Sequence, residues 1–157
     1  MVTAFAPNKK VDLAIEAFNI SGKSLKIVGS GQRERELRAK ANKNIEFLGN
    51  LSRSEVIKSF SKAKAFVFPG VEDFGITPLE SLACGTPVIA YKIGGVLETL
   101  NEHVAEYFEE ASAVCLNQAI ERFEGKNFEQ EVLLNRATSF SKDLFIKKIG
   151  KIISDTL

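Results

Sequence analysis

The chain's 157 residues fit one domain of ordinary size and exclude a self-contained two-domain enzyme. With 45% hydrophobic and 26% charged residues it has the material for a sizeable core, which excludes a disordered tail or a fibrous repeat. Twenty-one Lys and Arg against 20 Asp and Glu leave a net charge of +1, so no general field draws in nucleic acid or an anionic membrane. Any anion site has to be local.

Short apolar runs rich in Val, Ile and Phe alternate with helical patterns, the signature of βα units that build a parallel sheet. Strands are predicted at Val2–Ala6, Leu25–Gly29, Ile45–Leu48, Ala65–Pro69, Val88–Tyr91 and Glu106–Phe108. Joined by right-handed crossovers, they predict a Rossmann-like three-layer α/β/α fold with a six-stranded parallel sheet in the order 3-2-1-4-5-6. Between the first two, Val11, Ala14, Ile15 and Phe18 share one helical face. Ser52-Arg53-Ser54-Glu55 reads as a capping box opening a helix over Arg53–Lys62, since serine and glutamate each satisfy an orphan backbone N–H. From Ser112 onward the pattern is helical, and a last helix capped near Ser141 carries an apolar stripe of Leu144, Phe145, Ile149, Ile152 and Ile153. Met1 leads almost directly into strand residues, as if a longer chain had been cut there.

Cys84 and Cys115 lack the spacing of a zinc or redox motif and read as buried free thiols in a reducing, cytoplasmic setting. No apolar run spans a bilayer, which leaves room only for a peripheral position at the inner face of a membrane. His103, the one histidine, lies outside every motif and reads as a surface residue. Ala17–Ser24 approaches a phosphate loop, but a helix ends there and a strand begins, the reverse of what that loop requires. Gly29-Ser30-Gly31 does sit between strand and helix. Glu34 fills its third glycine position, so the dinucleotide fingerprint is incomplete, and a tight turn with close approach to a ligand is expected. Lys9 and Lys10 open the first helix, where positive charge opposes the helix dipole and a bound anion would relieve the conflict.

The most informative stretch is Phe68–Leu82. A strand ends at Pro69, a loop carries Glu72 and Asp73, and Gly75 opens a helix whose first turns hold Glu80. Both carboxylates can face the carboxyl end of the sheet, where doubly wound folds bind ligands. They can accept hydrogen bonds from sugar hydroxyls, while free N–H groups near Gly75 and Ile76 suit a phosphate oxygen.

With Glu72-Asp73-Phe74-Gly75-Ile76-Thr77-Pro78-Leu79-Glu80 as an E-x7-E motif, SLACGTPVIAY after it, and then Gly94-Gly95 with Glu98, the chain resembles the retaining glycosyltransferases of family 4. The likeness is to the C-terminal, donor-binding half of a GT-B fold and covers nearly the whole chain. It implies that Glu72 and Lys9 are the catalytic pair, with Glu72 on donor-sugar hydroxyls and Lys9 on the diphosphate. It further implies nucleotide contacts from Glu80, which would hold the ribose diol, from Phe74, Gly75, Ile76 and Thr77, and from the Gly29–Gly31 turn. The expected donor is a nucleotide-diphosphate sugar, GDP-mannose being favoured, with no separate cofactor, no metal and no nucleic acid. The expected acceptor is a glycan or lipid-linked sugar held by an N-terminal domain outside this chain.

Two departures stand out. Ala4 occupies a place where many members have arginine, and Asn101–Tyr107 lacks the glycine turn common after Gly-Gly-x-x-Glu. Half of a sugar-nucleotide epimerase and a non-catalytic nucleotide- or protein-binding module are the alternatives. The lack of a histidine at the ligand face counts against the first, and Pro7-Asn8-Lys9 in place of an acidic pair counts against a signalling receiver.

Overall fold

The computed structural model describes residues 1–156. After a 3-10 turn at Pro7–Lys9 the order is α1 (Val11–Ser21), β1 (Leu25–Val28), α2 (Glu34–Lys40), β2 (Ile45–Gly49), α3 (Arg53–Ser61), β3 (Phe66–Phe68) and α4 (Ile76–Ala83). Then follow β4 (Val88–Tyr91), α5 (Val96–Thr99), β5 (Ala105–Phe108), α6 (Ala113–Glu124), α7 (Gln130–Thr138) and α8 (Lys142–Thr156).

Every strand pairing is parallel: Leu25 opposite Ile45, Phe66 opposite Val88, and Val88 opposite Ala105. The strands form two sheets, β1-β2 and β3-β4-β5, in place of the single six-stranded sheet expected. The missing strand is the first. Val2 makes an isolated bridge to Val28, and the amides of Thr3 and Phe5 donate to the carbonyls of Val28 and Ser30, so residues 2–6 run beside β1. Among the described residues no backbone hydrogen bond joins them to β3. Pro7, with no N–H to offer, turns the chain into the 3-10 helix before a second ladder can form.

Alternation along the strands builds two cores. Ile27, Val67, Ile89 and Phe108 pack with Ile15 and Phe18 of α1, Leu37 of α2 and Leu116 of α6, a cluster that joins the two sheets on one side. Phe66, Phe68, Val88 and Ala90 face the other way, against Phe60 of α3, Leu79 and Leu82 of α4, Val96 of α5 and Leu133 of α7. Helices on both faces of parallel strands give the three-layer architecture.

Local signals act as the sequence predicts at several points. The Ser52/Glu55 capping box starts α3, and Gly22 at φ 67° ends α1, confirming that the phosphate-loop lookalike runs from helix to strand. The run Ser81 to Thr86 is a stop signal with buried polar ties: Ser81 Oγ donates to the Thr86 carbonyl (2.8 Å), and Thr86 Oγ1 donates to the Phe60 carbonyl (2.7 Å). Before β5, Asn101 does the work of the absent glycine turn. Its Oδ1 accepts from the His103 amide (3.0 Å), and its carbonyl accepts from Val104 and Ala105.

Cys84 and Cys115 are free but half-buried, less enclosed than expected, because each sits at a helix end and not in a core. His103 is exposed. On α8, Phe145, Ile146, Ile152 and Ile153 are each more than half exposed. No described helix is long and apolar enough to cross a membrane.

Candidate active site

The site is assembled at the carboxyl ends of the strands by three backbone devices. The first brings Lys9 beside the end of β3: the Val71 amide donates to the Asn8 carbonyl (3.1 Å), and Gly70 faces Lys9 with no side chain between them. A Cβ at Gly70 would stand 3.0 Å from Lys9 Cα. The second is the Gly94-Gly95 pair. The Gly95 amide donates to the Glu72 carbonyl (2.8 Å), and Cβ atoms at Gly94 and Gly95 would fall 2.7 Å from the Glu72 oxygen and 2.3 Å from the Asp73 oxygen. The third is Gly75 at φ 85°, a left-handed N-cap from which α4 starts with no side-chain cap. Pro78 in the first turn has no N–H, which leaves the amides of Ile76 and Thr77 as the open donors there.

Lys9 and Glu72, 63 residues apart in the chain, form an ion pair at this junction, Nζ donating to Oε1. Both side chains are partly exposed, at 18% and 32%, so solvent reaches the pair. Lys10 adopts φ 47° and holds its ammonium 4.6 Å from the centre of the Tyr91 ring. The dipole conflict at the start of α1 is thus answered by a carboxylate for one lysine and an aromatic face for the other.

Glu80 lies on α4, exposed, one helical turn on from Ile76, and its side chain makes no hydrogen bond or ion pair among the described residues. Burial of Cys84 pushes its thiol up, and the charge of Glu80 adds to the shift. Ile76 is exposed at 66% and Thr77 is half-buried. Gly29 and Gly31 serve the chain itself: a Cβ at Gly29 would sit 1.9 Å from the Thr3 carbonyl oxygen, and one at Gly31 2.8 Å from the Phe5 nitrogen. The structure therefore joins Lys9 to Glu72 directly, places Glu80 on the adjoining helix, and gives the Gly29–Gly31 turn a packing role against residues 3–5.

Supporting residues escaped the sequence reading. Thr99, fully buried, donates to the carbonyls of Gly95 (3.0 Å) and Phe74 (3.3 Å), tying α5 to the Glu72 loop. Arg136 of α7 caps the end of α5 through the carbonyls of Thr99 (2.9 Å) and Glu98 (2.6 Å). Its guanidinium also covers the Phe140 ring, which meets Phe74 edge-on at 5.9 Å. The contacts from Thr99 to Phe74, from Arg136 to α5 and from Phe140 to Phe74 bridge 25 to 66 positions of sequence and leave no local pattern to read.

Helices on both faces of parallel strands, with the Lys9–Glu72 ion pair at the strand ends and Glu80 on the adjoining helix, define a Rossmann-like α/β domain. Residues 1–140 match the family described as Glycosyl transferases group 1, and the chain belongs to it. It is 36% identical over 102 residues to an uncharacterised glycosyltransferase of Methanocaldococcus jannaschii, a match covering 62% of this chain and 29% of that protein. It is 41% identical over 87 residues to the GDP-mannose-dependent monoacylated alpha-(1-6)-phosphatidylinositol monomannoside mannosyltransferase of Corynebacterium glutamicum, covering 48% of this chain and 23% of that one. A crystal structure of a glycosyltransferase from Rickettsia africae superimposes with a TM-score of 0.80 at 24% identity, over 99% of this chain and 46% of its own. That likeness carries the GT-B-type fold of the half it covers. The matched region is less than a third of either relative.

Proposed function

We propose that the chain is the donor-binding half of a retaining glycosyltransferase that moves a sugar from a nucleotide-diphosphate donor to a glycan or lipid-linked acceptor, the acceptor being held by a further domain. The observation that carries this is the junction of Lys9, Glu72 and the uncapped start of α4, with Glu80 on the same helix. An ammonium and two backbone amides suit a diphosphate, and the carboxylates of Glu72 and Glu80 suit the hydroxyls of a sugar and a ribose. In this reading Lys9 and the amides of Ile76 and Thr77 balance charge on the diphosphate as the glycosidic C–O bond breaks, which is electrostatic catalysis. GDP-mannose is the favoured donor, supported by the Corynebacterium relative. The domain would act in the cytoplasm, soluble or resting on the inner face of a membrane.

Calorimetric titration of the chain with GDP, UDP and ADP tests the reading and ranks the bases. Binding of at least one is expected, without sugar transfer, because catalysis in a cleft between domains needs both reactants held and water excluded. No binding of any of the three at millimolar concentration would sink it.

A further inference from the structure

The ion pair of Lys9 and Glu72 sits where the donor reading places the diphosphate and the sugar, and neither side chain has another hydrogen-bond partner among the described residues. Their backbones are fixed, Lys9 through the 3-10 turn and the Asn8–Val71 contact, Glu72 through the amide of Gly95. Both side chains are partly exposed, at 18% for Lys9 and 32% for Glu72, so solvent reaches the pair and screens it. Its consequence falls on whatever else would bind Lys9.

Resting on the donor-site reading, we propose that Glu72 is an internal counter-ion for Lys9, displaced by the donor and restored when the sugar has left, so that the site prefers a nucleotide sugar to the free nucleoside diphosphate. An intact donor gives both residues a new partner: phosphate oxygens for the ammonium, sugar hydroxyls for the carboxylate. The free diphosphate gives a partner to Lys9 alone. It strands Glu72 as an unpaired carboxylate against a terminal phosphate that carries additional negative charge. Glu72 then competes for the ammonium and weakens the product's hold, so the residue that orients the sugar also expels what is left after transfer.

The test is calorimetric titration of the wild-type chain, Glu72→Gln and Asp73→Asn with GDP, UDP and ADP, then with the mannose or glucose conjugate of the tightest base. Glutamine keeps the shape and hydrogen-bonding reach of Glu72 but not its charge, so the melting temperature stays within about 4 °C. Glu72→Gln is expected to bind the free diphosphate roughly three- to tenfold more tightly than wild type and the nucleotide sugar more weakly. Asp73, the exposed neighbour that makes no ion pair among the described residues, controls for overall charge, and Asp73→Asn is expected to stay within about twofold. Unchanged or weaker diphosphate binding by Glu72→Gln, or an equal gain in Asp73→Asn, overturns the counter-ion role while leaving the donor site standing. Failure of every protein to bind any nucleotide removes the site and the counter-ion together.

Discussion

The amide of Gly95 holds the carbonyl of Glu72 at 2.8 Å, and it reaches that carbonyl because Gly95 has no side chain to strike Asp73. Two loops at the ends of adjacent strands are thereby locked together, and the position of the Glu72 carboxylate depends on a residue 23 places further along.

Gly95→Ala tests that dependence. Its Cβ would lie 2.3 Å from the Asp73 oxygen and 2.5 Å from Phe74 Cα, both backbone atoms, so the loop has to move. We expect a loss of about 1–3 kcal/mol in denaturant unfolding together with a clear loss of nucleotide affinity. Gly125→Ala is the control, since its nearest neighbour is the Arg122 carbonyl at 3.6 Å, and it should change stability by less than about 0.5 kcal/mol.

Glu80→Ala separates binding from folding. The side chain is exposed and makes no hydrogen bond or ion pair among the described residues, so unfolding should be unchanged. Nucleotide affinity should fall by about 1–3 kcal/mol if the carboxylate accepts from the ribose diol. An unaltered affinity by calorimetry would count against that assignment.

Strands β1 to β5 were legible because continuous Val, Ile and Phe between turn signals mark strands covered on both faces. Val2–Ala6 carries the same composition yet bonds on one side only, and composition does not report how many neighbours a strand has. At the site, the family resemblance pointed to Lys9 and Glu72, which the fold brings into contact across 63 residues. Thr99 and Arg136 were invisible for the opposite reason: their partners are main-chain carbonyls, which every residue possesses. Gly29 and Gly31 show the ambiguity of glycine, which permits close approach without saying of what.

Thr86→Val should cost about 1–3 kcal/mol in thermal or denaturant unfolding. The shape is kept, but the Phe60 carbonyl is left with main-chain donors alone and the turn after α4 loses a tie to α3. A smaller loss in Ser81→Ala would also fit, because the Thr86 carbonyl lies nearer the turn. A neutral Thr86→Val would show that this hydrogen bond contributes nothing to stability.

Glu106 provides a pH signature remote from the site. Burial alone would raise its carboxyl, but hydrogen bonds from Lys126 (2.5 Å) and Arg122 (2.6 Å) outweigh this and lower it. A lowered folded value gives stability that is complete above the ordinary carboxylate range and lost as pH falls through the folded value. Wild type should therefore exceed Glu106→Gln by about 1 kcal/mol at pH 7, the cations being half-exposed, with the gap closing below about pH 4. A gap constant down to pH 3 would show that the pairing contributes nothing.

The bond from Gly95 to Glu72 also makes occupancy readable without chemistry. Its hydrogen can exchange with solvent deuterium only when the two loops part, and a ligand that holds the Glu72 side chain restrains the loop whose carbonyl accepts that bond. Saturating nucleotide sugar should slow deuterium uptake at Gly95, and at Val71, whose amide ties the same loop to Asn8, while amides of α8 keep their rate. The two glycines that admit the loop thus act as a latch whose breathing rate records what the glutamate is holding.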